Sequence, residues 1–421
     1  MVTVQFPVFT LLFISLNLHI LRNLHPLYLV LPAVLFCLLF FLQFIAAKKD
    51  KKISRNIMLF PFILSLLFIV LLSCVYLIFG LFYNSIDEVL IGASRLFLAP
   101  LIAFVVSKML WTKTRIEKIL LIFSLIAAGG SLTLLYQFLF GEITWFAESS
   151  ARAGFARYAS LFGNLTAIGM VAAIGIITTL FVEKINVLLK SLLLTSLLIG
   201  LALSLQKASV ANLVLALGLS LLFADRERRA KIAKIIVGVA LIISIGLSFL
   251  PEIQNIALAT IQNFRFDENI VQNEDDTVGV SIMRRTMDLP YDAISAYGYE
   301  YLLTGVGVIG SAGTLGFPEA PSTHNSFSDS ILTGGVLNLT VMLCLLYLMG
   351  REVMRPIPNV SVLSNNQYAC ARAVYFLIVL NLPFVSGILF QPNSACLFYF
   401  FMGLASAGYF RGERVRYLAT T

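Results

Sequence analysis

The residues able to do chemistry in this sequence are few. Pro321-Ser-Thr-His324-Asn325-Ser-Phe-Ser328-Asp329 sets an imidazole directly before an apolar run. A histidine of ordinary pKa, about 6.5, is largely neutral near pH 7 and can take a proton from a hydroxyl. The other two of the three histidines, His19 and His25, sit together far upstream. Cations occur in separate segments: Arg152 and Arg157 in Ser149-Ser-Ala-Arg152-Ala-Gly-Phe-Ala-Arg157, Lys207 in Ser204-Leu-Gln206-Lys207-Ala-Ser, and the pair Arg284-Arg285. Arg95 stands about 10 Å of helix beyond Asp87-Glu88. Guanidinium groups bind phosphate oxygens in pairs through their planar fork, so converging arginines would make a pocket for an anion such as a diphosphate. Taken singly, each cation could instead reach out to lipid headgroups.

Two other patterns have less to offer. Gly305-Val-Gly307-Val-Ile-Gly310 fits the spacing GxGxxG, but it has neither a strand–helix context nor a following acidic residue, and reads as a turn. Five cysteines (Cys37, Cys74, Cys344, Cys370 and Cys396) lie in or beside apolar stretches, as small buried hydrophobes do. The segments carrying the chemistry-bearing cations hold one histidine and no cysteine, so neither a metal site nor a cofactor is expected.

The elements that must position these residues follow from composition. The 421 residues are 59% hydrophobic and 12% charged, with a mean hydropathy of +0.91. Soluble domains carry about twice that charge. The chain reads as an all-α polytopic integral membrane protein, and a nucleic-acid module, a disulfide scaffold and a disordered chain are excluded. Apolar windows of about 20 residues suit spanning helices. They fall near 4–22, 27–47, 57–83, 89–107, 119–140, 158–181, 185–205, 207–224, 235–251, 326–349, 370–389 and 395–410, about twelve in all. The first lacks the basic start and small-residue cleavage site of a signal peptide and is expected to be retained. Residues 1–251 would hold helices one to nine, 252–325 one large loop, and 326–421 the last three helices and a tail.

Charge sets the orientation. Alternate connections carry Lys48, Lys49, Lys51, Lys52 and Arg55, then Lys108, Lys113, Arg115 and Lys118, then Lys184 and Lys190. The same side continues with Arg226, Arg228, Arg229, Lys231 and Lys234, and closes with Arg351, Arg355, Arg372, Arg411, Arg414 and Arg416. The positive-inside rule makes that side, with both termini, cytoplasmic. The +8 formal charge is thus largely topological. The cations it leaves unexplained are Arg22, Arg95, Arg152, Arg157, Lys207, Arg265, Arg284 and Arg285, all on the opposite side.

In the large loop, Met283, Met287, Tyr291, Ile294 and Tyr301 recur at near-helical spacing, which predicts an amphipathic helix lying on the membrane face. Its tyrosines would form an interfacial belt or stack on sugar rings. No acidic residue occupies the centre of an expected span; Asp329 comes nearest, one turn inside the tenth helix. A proton- or sodium-coupled carrier ordinarily needs such a carboxylate, which weighs against transport.

With these features in view, the chain resembles the bacterial O-antigen ligases and surface-polysaccharide repeat-unit polymerases. Leu302-Leu-Thr-Gly305-Val-Gly307, Thr323-His324-Asn325-Ser-Phe and Leu332-Thr-Gly334-Gly335-Val-Leu look like that superfamily's loop-exit signature, and Arg285 matches the arginine opening its loop helix. Leu161-Phe-Gly163-Asn164 resembles its glycine–asparagine element. Ala202-Leu-Ser-Leu-Gln206-Lys207-Ala-Ser departs from its Thr/Ser-x-x-Arg element by a lysine, which keeps a point charge and loses the fork.

The resemblance implies a GT-C-type glycosyltransferase of the bacterial inner membrane, with its active site facing the periplasm and the large periplasmic loop before the tenth helix. The donor would be an undecaprenyl-diphosphate-linked oligosaccharide. The acceptor would be a lipid-linked repeat unit for a polymerase or the lipid A–core for a ligase. Membrane lipids and a chain-length regulator are further implied partners; nucleic acid is not. His324 would serve as catalytic base. Arg285, Arg157 and Lys207, with Arg152 and Arg284, would hold the diphosphate, and Asn325, Asn164 and Arg95 would support them. The rival of another class is a transporter or flippase for lipid-linked sugars.

Overall fold

A computed structural model of the chain describes residues 2–49 except 26, 100–222 with gaps at 147–148, 153–154, 164–166 and 205, scattered positions between 229 and 305, and 325–411 with gaps at 359–361, 386–387 and 390. The expected spans at 57–83 and 235–251 lie outside these residues.

The described chain is mostly helical: α1 (Val2–Asn17), α2 (Leu27–Lys49), α3 (Lys113–Phe140), α4 (Ala167–Phe181), α5 (Val187–Leu203), α6 (Lys207–Leu222), α7 (Ser326–Val353), α8 (Asn365–Asn381) and α9 (Pro392–Ser406). Residues 100–108 are also helical. One short antiparallel ribbon, β1 (Ser150–Arg152) and β2 (Phe155–Arg157), interrupts them. Lys113–Phe140 and Gly334–Val353 are long and apolar enough to cross a membrane; shorter apolar helices accompany them.

Several boundaries differ from the apolar windows, for local reasons. The helix expected from 119 starts at Lys113, because the Thr112 hydroxyl caps it by accepting from the Arg115 N–H. In the window 158–181 the described helix runs Ala167–Phe181, and residues 160–163 form a turn closed by the Gly163 N–H on the Ser160 carbonyl, with Gly163 at φ 79°. α8 stops at Asn381, two residues before Pro383, whose ring disfavours helical backbone in the residue ahead of it. In the large loop, described positions 287–288 and 291–292 are helical and Tyr299–Leu302 forms a 3-10 turn. Met283, Met287, Tyr291 and Tyr299 are exposed there, and so are Asp288 and Asp292. A hydrogen bond donated to Tyr291 holds the Tyr299 phenol above its usual pKa.

The chain divides into two compact units. The first comprises Met1–Lys49, Leu110–Gln272 and Leu363–Leu377. At its centre α3, α4 and α5 pack on one another, and every residue of α4 is buried. Lipid is as apolar as leucine, so helix association in a membrane relies on close approach and interhelical hydrogen bonds. Both are present. A side chain at Gly175 would run into Ala127 and Leu197, one at Gly200 into Ser131, and the Ser124 and Thr178 hydroxyls bond at 2.8 Å. At one end of these helices Glu117 accepts the N–H groups of Glu183 and Lys184, both at 2.7 Å, and the Lys190 ammonium donates to the Leu180 and Val182 carbonyls. Lys190 therefore caps the end of α4 as well as adding charge.

The second unit comprises Asp50–Met109, Asn273–Val362 and Ile378–Thr421. In it α7 packs on α9, and α9 on residues 100–108, where Gly403 faces the Ala103 carbonyl and Val106 so closely that any side chain would collide. The helical run of α7 breaks at Gly334–Gly335, with Gly335 at φ 67°. Asn338 offsets part of the break by donating to the Ser330 carbonyl at 3.0 Å.

Candidate functional site

In the first unit, the end opposite Glu117 collects the C-terminal ends of α1, α3 and α5 and the starts of α2, α4 and α6. The connection between α3 and α4 folds down over this end. Gln137 donates to the Ala159 carbonyl at 2.7 Å and accepts from the Ile143 N–H, tying both limbs of the loop to α3. Ile20, Phe146 and Ala159 form a small apolar cluster beneath it, and the Ile20 N–H meets the Leu161 carbonyl at 3.2 Å. The Ser149 N–H and hydroxyl both bond the Glu142 carboxylate, which fixes the entry to the ribbon.

This loop carries two of the expected cations. Arg157 pairs with Ser150 across the ribbon and Arg152 with Phe155, so the two positions lie two residue pairs apart on one rigid element. Arg157 is buried to 9% exposure. A guanidinium stays ionised at any physiological pH, and its field is stronger where water is excluded.

The turn between α5 and α6 reaches the same end. Its Ser204 and Gln206 side chains lie where a side chain on Gly169, near the start of α4, would otherwise sit. Gln206 accepts from the Ser209 hydroxyl at 2.9 Å, closing the first turn of α6. Lys207 is the first residue of that helix. The fold thus brings the segments of Arg152, Arg157 and Lys207 to one end of one unit, although 50 residues separate the last two. Cations arranged on fixed backbone there can receive an anionic group without prior reorganisation.

In the second unit the structure places Asn325 at the head of α7. Its side-chain oxygen accepts from the Phe327 and Ser328 N–H groups at 2.9 and 3.4 Å, so it is the N-cap of that helix. Ser326, which sequence reasoning passed over, anchors it. The Ser326 N–H donates to the Leu382 carbonyl at 2.8 Å, its hydroxyl to the Val385 carbonyl, and it accepts from the Ile388 N–H at 3.2 Å. The head of α7 is therefore fixed through Ser326 to the chain leaving α8. No spacing motif in the sequence announces these contacts; the only signal is a serine beside a predicted helix start. His324, Arg95, Arg284, Arg285 and Asn164 lie outside the described residues. Among the described residues no group of His, Cys, Asp and Glu could hold a metal ion.

No family model matches the chain, and no curated protein matches it.

Proposed function

We propose that this chain is a glycosyltransferase of the bacterial inner membrane that joins undecaprenyl-diphosphate-linked glycan to an acceptor hydroxyl on the periplasmic side, polymerising surface-polysaccharide repeat units. The observation that carries the reading is the buried guanidinium of Arg157, held on a braced ribbon at the end of the first unit where the Lys207 turn also arrives. The loop-exit residues, with His324 before α7, support it from the sequence. About twelve spans with both termini cytoplasmic would put that end, and the head of α7, in the periplasm.

The chemistry is a single displacement. The acceptor oxygen attacks the anomeric carbon while the bond from that carbon to the diphosphate oxygen breaks. The diphosphate leaves with the electron pair, and His324 takes the hydroxyl proton. Attack opposite the leaving group inverts the anomeric centre. Arg157 and Lys207 offset the charge that grows on the leaving oxygens, and such preorganised charge commonly supplies about 10²–10³ in rate. Arg285, Arg152 and Arg284 are assigned the same task by the sequence.

The test is electrophoresis of surface polysaccharide from a deletion strain carrying either the wild-type gene or His324→Ala. The deletion reduces the ladder to core plus one unit, the wild-type gene restores it, and the variant does not. A bare core with accumulated lipid-linked polymer would make the protein a ligase instead. A ladder restored by His324→Ala would remove the catalytic assignment. Movement of lipid-linked sugar across liposomes without new glycosidic bonds would replace the reading with transport.

A further inference from the structure

The placement of Arg157 depends on a residue that carries no charge. Gln137 lies buried in the last turn of α3, and its carboxamide is engaged at both ends. Nε2 donates to the Thr133 carbonyl at 3.2 Å and to the Ala159 carbonyl at 2.7 Å, while Oε1 accepts from the Ile143 N–H at 3.2 Å. The Thr133 bond stays within α3; the other two hold the loop. Ile143 stands on the limb that enters the loop. Ala159 stands on the limb that leaves it, two residues after Arg157. One side chain thus clasps the loop at its neck, and between the clasped points β1 pairs with β2, setting Arg157 opposite Ser150. Past the neck the outgoing limb is laid along the same helix. The Phe162 ring fills the space that a side chain on Gly130 would need, and Gly130 lies seven residues back from Gln137, on the same face of α3.

The neck offers one acceptor, the Ala159 carbonyl, and one donor, the Ile143 N–H. A clasp must therefore present a donor and an acceptor from one short side chain, which a carboxamide does, a carboxylate does only in part and an aliphatic chain does not at all. Guanidinium binds a phosphate through two parallel bonds of fixed direction, so its backbone must be well placed. Two residues of extended chain reach about 7 Å at most. A shift at Ala159 is therefore passed to Arg157 with little slack.

We propose that Gln137 is a positioning residue for the anion site at this end of the first unit: it holds the neck of the loop so that the Arg157 guanidinium meets a diphosphate in a preset orientation. The role rests on the diphosphate reading given above and names the residue that prepares that site. Gln137 acts through Arg157 and does not itself touch substrate.

The experiment is isothermal titration calorimetry of the full-length protein in detergent with inorganic pyrophosphate, in magnesium-free buffer. Gln137→Leu should weaken binding about tenfold in the wild-type background. In the Arg157→Gln background it should weaken binding no further, because a residue that acts through Arg157 has nothing left to position. Ser124→Ala removes the buried Ser124–Thr178 bond from the same helix. It should lower the melting temperature and leave pyrophosphate affinity unchanged. Should Gln137→Leu not fold, Gln137→Ala frees the same two groups of the neck and is read in the same way. Unchanged affinity in the Gln137 variant overturns the role, as does an equal loss in both backgrounds or a matching loss in Ser124→Ala. In each of those cases wild type still binds pyrophosphate, and the diphosphate reading stands. A wild type that binds none removes that reading, and the positioning role falls with it.

Discussion

Arg157 and Asn325 were both selected for chemistry by residue type and position, and the structure gives them different local tasks. Arg157 sits buried on a ribbon that Gln137, Glu142 and the Ile20–Phe146–Ala159 cluster hold in place. Its charge was legible in the sequence. Its burial was not, because the loop that carries it is seated on Ile20, more than a hundred residues away in the sequence. Arg157→Gln should lower glycan transfer about 10²-fold in kcat with membrane insertion unchanged, and Arg157→Lys should recover part of the loss. Turnover of defined lipid-linked substrate in proteoliposomes measures both. Asn325 caps α7, a structural role that any helix start can need. Asn325→Ser, which preserves the cap, should leave the melting temperature near wild type, whereas Asn325→Ala should cost about 1 kcal/mol of stability.

At the scale of elements, α7 is the informative helix. Gly334-Gly335 was visible in the sequence as part of a loop-exit signature, but its consequence is a broken helix whose second part, Gly334–Val353, alone has spanning length. Gly335 needs its positive φ, so Gly335→Ala should destabilise the protein by about 1–2 kcal/mol. Asn338→Leu should cost about 1–3 kcal/mol by leaving the buried Ser330 carbonyl without its side-chain donor. Thermal melts of purified protein in detergent test the pair. A larger effect at residue 335 on transfer than on melting would show that the break itself positions the head of α7. Helix existence was readable from apolar windows because hydrocarbon demands continuous hydrogen-bonded backbone. Helix ends were less so: Thr112, Gly163 and Pro383 set them, and a hydropathy window averages over such single residues.

At the scale of the molecule, the charge pattern predicts that both termini share the cytoplasm. Alkaline phosphatase fused after Thr421 should be inactive, and green fluorescent protein at the same place should fluoresce. An active phosphatase would invert the orientation and move the proposed site to the wrong side of the membrane. Lys190 shows how far such counting reaches. It belongs to the basic side by number, yet its ammonium is occupied in capping α4, so part of a topological signal is also structural.

Composition and spacing by themselves determined that this is a helical chain rich in apolar segments, with cations outside its main basic runs and a lone histidine before a late helix. Those properties are local or additive, and a linear chain states them directly. Only the tertiary structure decided which leftovers meet. It buried Arg157 on a braced ribbon, brought the Lys207 turn to the same end, anchored Ser326 to the chain after α8, and set Arg411 on Glu352. Each of these depends on segments distant in the sequence, and no short window along it contains them both.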